Sequence, residues 1–540
     1  MKRIIVLISI ALFFVFSGTK TGFAQTPVTQ QNNQSVIDEW KKQARQGFDD
    51  FKAENEKQYR DFRAKANDEF AEFMSRAWEQ FQSFEGIPKP KADDFVKQPE
   101  AKPRKAPTAD PMPYGTIVPL PVRTPRPQPL APIQPQKPAE PEAPRPEPAT
   151  PIQPTNPALQ TPPPEPAKPV QKPIIKPDIV KPGFSFLLYN TECKVRMDES
   201  LRFTLPDASE NSAAQAWKTL SDQKYDALLS DLLTLRDQMN LSDWGYYQLI
   251  KAFSEKFFGK DSNEAVFLQM FVLTQSGYKV RIARTGNNRF ALLIPFKETI
   301  YEYTFLNIEG AKYYIINKDF RNQGFSLCNQ EFPHEQYFAW QTRQPLLAEK
   351  LNEARTYEAK RYPEIKVAVQ TNQNLIDYFN NYPLSNDWNL YTVADLSERA
   401  KQSLYPVLQR AIAGKSKTEA AGMFLNFLQT GFAYQTDAEQ FGYERPFFPD
   451  ENFFYPYNNC KDRATLYAIL VKQLLDMDVV LLHYPGHLAT AVHFNEDVEG
   501  DYLMINGKKF IVCDPTFIGA GIGRAMDQFK NVNAEVVTIW

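Results

Sequence analysis

Residues 88–182 hold about 30 of the chain's 43 prolines, in runs such as Pro144-Arg145-Pro146-Glu147-Pro148 and Pro162-Pro163-Pro164-Glu165-Pro166. Proline fixes φ and withholds a backbone donor, so such a stretch enters neither a helix interior nor a central strand. It also lacks the apolar side chains of a core and favours extended polyproline II. The expectation is a disordered spacer over 88–183, reaching nearly 300 Å at about 3.1 Å per residue if fully drawn out. It divides the 540 residues into an N-terminal arm and a globular part, and the globular part is itself long enough for more than one domain.

The arm begins with Lys2-Arg3, an apolar run over 4–16 and Gly22-Phe23-Ala24 before Gln25. That is the pattern of an export signal over 1–25, and its apolar run of about 13 residues is short for a bilayer span of roughly 20. A secreted or periplasmic protein is expected, with an uncleaved membrane anchor as the alternative. From 37 to 84 the sequence repeats every 11 residues, through Ile37/Trp40, Phe48/Phe51, Tyr59/Phe62, Phe70/Phe73 and Phe81/Phe84, with Ala44, Ala66 and Ala77 as a third position that Asn55 interrupts. Eleven residues in three turns keep the aromatics on one stripe of a helix expected over 35–86, about 75 Å long. Such a stripe suits self-association, coiled-coil-like but aromatic, or packing against another domain; a membrane surface and a ligand strip are the other readings.

Past 184 the composition becomes globular and aromatic. The apolar run over 264–275 reads as a helix closed by Gly277, followed by strands over 279–282 and 290–294 and a hairpin ending at Asn317. The C-terminal part repeats the plan: a helix over 463–475, strands over 479–483 and 488–494, and a hairpin across Asn506-Gly507, a strong turn signal. Aligning the two places Asp261/Ser262 near Cys460, Asn287 near His487 and Asn317 on Asp514. A domain over 184–330 as a degenerate copy, a connecting α/β segment over 331–400 and a catalytic domain over 401–540 are the resulting expectations.

The chemistry concentrates in the second copy. Ser416 and Glu419 form a capping box for a helix ended by Gly431. A long aromatic loop follows, from Tyr434 through Phe441, Tyr443, Phe447, Phe448, Phe453 and Tyr457 to Asn459; contact with substrate and packing over the core are both open. Cys460 opens the next helix, where unpaired N–H groups and the helix dipole favour a thiolate and offer donors to an oxyanion. His487 follows Gly486 at a strand start and is placed to take and return the thiol proton. Asp514, at a strand end before Pro515-Thr516, would hold the other imidazole nitrogen. His483 and His493 are rivals for the base. Cys513 points away from Asp514 by strand alternation and reads as structural.

Other classes receive little support. The net charge is −2 without a basic block, which argues against nucleic-acid binding. The four cysteines are Cys193, Cys328, Cys460 and Cys513, with no metal spacing among them; Cys193 and Cys328 are the one pair considered for a disulfide. The histidines are His334, His483, His487 and His493, and no cofactor or metal is expected.

Residues 416–517 resemble the transglutaminase-like cysteine enzyme superfamily. The likeness rests on the helix before Tyr434, the Cys460-Lys461-Asp462 helix start, Gly486-His487 and Asp514-Pro515-Thr516. It implies a papain-related α+β fold and a Cys–His–Asp triad at Cys460, His487 and Asp514. The sequence departs from the family pattern at Leu475-Asp476-Met477-Asp478, where Leu-Gly is usual, and at Leu488, where an aromatic is frequent. The expected function is an exported cysteine peptidase or amidase acting on a protein or peptide substrate. Protein cross-linking is the alternative, and a non-catalytic interaction protein of the cell envelope is the reading from a different class.

Overall fold

The computed structural model describes residues 31–84, 86–91, 98–102, 111–120, 126, 127 and 129, and residues 183–539 apart from 198, 223–224, 318–319 and 321–323. The expected export signal, most of the proline-rich spacer and several stripe residues' side chains lie outside that description. The architecture is mixed α+β. The chain divides into two compact units, residues 1–61 with 132–137, and residues 62–131 with 138–540. No helix among the described residues is long and apolar enough to cross a membrane.

Helix α1 (Gln31–Met74) carries the 11-residue repeat. In the first unit Phe51 is 67% exposed, and Asn55 donates to the Phe51 carbonyl one turn back. In the second unit Ala66, Phe70, Ala71 and Met74 are buried, with Phe70 against Trp217 and Phe332. The helix does not run to residue 86 as the repeat suggests. It stops at Met74, whose carbonyl accepts from the Trp78 indole at 2.9 Å. The chain then becomes strand β1 (Glu79–Gln82), because the edge of a distant sheet offers Phe81 a ladder opposite Phe325. Tertiary pairing overrides the local pattern here.

The spacer also departs from expectation at its N-terminal end. Proline-free Tyr114–Val118 forms strand β2, the Met112 N–H donates to Tyr502 O at 2.7 Å, and residues 99 and 101 bond both backbone groups of Ile518. An open sheet edge supplies the partners that a disordered chain would lack.

The remaining elements form two modules with one plan. In the first, hairpin β3 (Phe184–Leu188) and β4 (Thr191–Val195) leads into helices α2 (Glu210–Asp222), α3 (Asp226–Gln238), α4 (Asp243–Phe258) and α5 (Asn263–Gln275). Strands β5 (Arg281–Thr285), β6 (Phe290–Pro295), β7 (Phe305–Ile308), β8 (Ala311–Ile315) and β9 (Gly324–Cys328) follow. In the second, hairpin β10 (Arg355–Glu358) and β11 (Lys366–Val369) leads through α6 (Gln373–Asn380), α7 (Glu398–Ala411) and α8 (Lys417–Gly431) to α9 (Cys460–Leu475). Strands β12 (Val479–Tyr484), β13 (His487–Val492), β14 (Tyr502–Ile505), β15 (Lys508–Cys513) and β16 (Ala534–Thr538) complete it.

The two six-stranded sheets run β7-β8-β6-β5-β9-β1 and β14-β15-β13-β12-β16-β2, the same order, with the N-terminal arm supplying the last strand of the first and the spacer that of the second. A different strand order would have excluded the duplication. Hairpin register shifts the expected counterparts slightly: Asn263, the first residue of α5, matches Cys460, Arg289 matches His487, and Asn317 remains on Asp514. The second module begins earlier than residue 401, since Tyr357, Val367, Leu404 and Leu408 share one buried core with α9 and β13. The four cysteines are all free and buried, so Cys193 and Cys328 are not bonded; Cys193 sits instead 3.8 Å from the Met239 sulfur.

Candidate active site

Helix α9 begins where its N-terminal N–H groups can be met by one residue. Asn459 is the N-cap, its side-chain oxygen accepts from the Lys461 N–H at 3.1 Å, and its carbonyl accepts from Arg463 N–H at 3.2 Å. The Asp462 carboxylate closes the capping box on the Asn459 N–H at 3.0 Å. The Cys460 N–H is the first of the helix and cannot find an acceptor inside it, so it can serve as a donor to an oxyanion formed at the sulfur. At the far end, Asp476 takes φ +49° where glycine would be easiest, a conformation Asp tolerates better than most residues.

His487 is set by the tight turn Pro485-Gly486, with Gly486 at φ +70° and Tyr484 paired directly to His487. Its Nε2 lies 2.8 Å from Asp514 Oδ2, which leaves Nδ1 for the Cys460 side chain, a hydrogen-bond neighbour of the ring. Asp514 Oδ1 accepts from the Thr516 and Phe517 N–H groups at 2.9 and 3.3 Å. Gln429 of α8 locks the same loop by donating to the carbonyls of Asp514, Phe517 and Ala520. The Phe529 ring lies parallel to the imidazole, 5.0 Å away at 10°. The structure thus brings Cys460, His487 and Asp514 together.

All three are nearly buried, Cys460 at 1%, His487 at 3% and Asp514 at 2% exposure. Cys460 and His487 nevertheless line a cleft of about 490 Å³ together with Trp388, Glu444, Lys461 and His483. Cys460 therefore borders the cleft while remaining almost wholly covered. Burial works against a charged imidazole, but the Asp514 carboxylate and then the Cys460 side chain outweigh it and raise the His487 pKa from 6.5 to about 10. A proton taken from the thiol is thus held firmly on the ring.

Of the rival bases, His483 stands on the cleft rim with Nδ1 2.9 Å from Glu535, and the ring of His493 meets the Lys509 carbonyl instead. Cys513 packs in the core, where burial pushes its thiol up to about 12. The aromatic loop is mainly packing: Phe441, Phe447 and Tyr455 surround the Arg445 guanidinium, which pairs with buried Glu451 at 2.6 Å, and Phe448 stacks on Phe379. Its Glu444 and Pro446 reach the cleft. Lys461 turns inward to Asp437 and to Glu444 at 2.9 Å.

Two contributors carry no plain sequence signal. Gln429 and Phe529 arrive from elements far along the chain. Arg463 is signalled by its place three residues after Cys460. Among the described residues no cluster of His, Cys, Asp and Glu is placed to hold a metal ion. The chain matches no family model, no curated protein and no solved structure.

Proposed function

We propose that this protein is an exported thiol-dependent acyl-transfer enzyme with a papain-related, transglutaminase-like catalytic module, cleaving peptide or amide bonds. The Cys460 sulfur attacks the carbonyl carbon as His487 Nδ1 takes the thiol proton. The carbonyl oxygen becomes an oxyanion that accepts from the Cys460 N–H. Imidazolium returns the proton to the leaving nitrogen as the C–N bond breaks, leaving a thioester. Water then attacks that thioester with His487 as base, releasing the acid and restoring the thiol. Asp514 holds the ring throughout and stabilises its charge.

The observation that carries this reading is the 2.8 Å His487–Asp514 pair, with His487 and Cys460 lining one cleft. The first module fits the role of a silent duplicate. At the matching places stand Asn263, whose side chain accepts from the Phe290 N–H at 3.0 Å, and Asn317, which accepts from the Leu292 N–H at 2.7 Å. Neither is a nucleophile, and both are occupied in holding backbone. The test is alkylation of Cys460 by iodoacetamide near neutral pH, in the full chain. Rapid labelling that falls at least tenfold in His487→Ala supports the enzyme; an inert Cys460 in the wild type overturns it.

A further inference from the structure

Beside the triad lies a buried guanidinium without a carboxylate of its own. Arg463 follows Cys460 by three residues in α9, so the two side chains share a helix face one turn apart. It is 0% exposed. Its Nη2 donates to Phe432 O at 2.7 Å and its Nη1 to Gln429 O at 3.4 Å, while Nε has no partner among the described residues. The guanidinium carbon sits 5.3 Å from the Tyr434 ring centroid. Two carbonyls and a ring face are a poor match for a fully desolvated cation, whose burial costs several kcal/mol unless negative charge compensates it.

The acids that act on Arg463 at neutral pH are Asp462 on its own helix and Asp514 after β15, joined by the Cys460 sulfur when it is ionised. Asp462 already faces Lys461, which in turn holds Asp437 and Glu444. The triad itself bears one net negative charge, whether its shared proton rests on sulfur or on imidazole. One guanidinium brings the cluster to zero.

We propose that Arg463 is the resident counter-charge of the Cys460–His487–Asp514 cluster, stabilising the thiolate and lowering the pH at which Cys460 becomes nucleophilic. It touches no substrate and acts as a positioning residue, by its field. Burial lowers its own pKa to about 10, against the pull of Tyr434 and the nearby acids, so the guanidinium stays charged at neutral pH. The inference rests on the acyl-transfer reading above.

The test measures the iodoacetamide alkylation rate of Cys460 from pH 4 to 9 in the full chain, with Cys460→Ala as the blank. Arg463→Gln is expected to move the ionisation midpoint up by about one unit or more, roughly tenfold slower labelling on the acid limb. Arg463→Lys, which keeps the charge, is expected to retain most of the wild-type profile. A folded Arg463→Gln with an unshifted midpoint overturns the inference while leaving the triad standing; an inert wild-type Cys460 overturns the triad itself. If Arg463→Gln does not fold, the charge-keeping Arg463→Lys carries the test, and a folded Arg463→Lys whose midpoint moves up by a full unit overturns the inference.

Discussion

Replacing Asp514 by Asn keeps the shape of the site and inverts its proton logic. The new Oδ1 can still accept from Thr516 and Phe517 N–H, now at 2.9 and 3.3 Å, so the loop keeps its turn. The new NH₂ group occupies the place of Oδ2, 2.8 Å from His487 Nε2, and it can only donate. The ring must then carry its proton on Nδ1, the nitrogen facing Cys460, and can no longer accept from the thiol. Breaking a buried ion pair costs about 3–5 kcal/mol; the two retained backbone bonds, each worth about 1 kcal/mol, place the expected loss of stability near 3. Loss of a positioned base is worth about 10²–10⁴-fold in rate. The assays are urea unfolding and Cys460 alkylation at pH 7. Asp514→Asn that labels at the wild-type rate, with stability within about 0.5 kcal/mol, would refute the assignment of Asp514 as orienter.

Two further outcomes follow from the same contacts. Phe529→Ala removes a ring stacked on both His487 and Tyr484; it should cost about 3 kcal/mol in thermal or urea unfolding and slow Cys460 labelling, because the imidazole loses its lateral wall. The raised pKa of His487 means that folding tightens its proton. That contribution to stability is full below about 6.5 and fades as pH rises through about 10, so the wild-type advantage over His487→Gln in urea midpoint should shrink between pH 6 and pH 10. A constant difference would show that the imidazole is not held charged.

Local chemistry made part of this fold legible. The Ser416/Glu419 capping box, the Asn506-Gly507 turn with both residues at positive φ, and the start of α9 at Cys460 each depend on neighbours within four residues. The places of Cys460 at a helix start, His487 at a strand start and Asp514 at a strand end were readable for the same reason. What was not readable depends on distant partners. Nothing in 79–82 distinguishes a continued helix from a strand until β9 is beside it, and Tyr114-Gly115-Thr116-Ile117-Val118 looks like a gap in a proline tract until β16 presents an edge. Arg463 lay in plain view at a helix start, but its burial is fixed by Gln429, Phe432 and Tyr434 from another part of the chain.

The edge strands β1 and β2 tie early and late parts of the polypeptide across long distances: Gln80 meets Ser326 over 246 positions, and Thr538 meets Val118 over 420. Neither sheet can gain its outermost strand until the partner strand, 246 or 420 positions later, has been made. A cut within 131–182 would leave both fragments zipped along two ladders, co-migrating in native gels and parting only in denaturant.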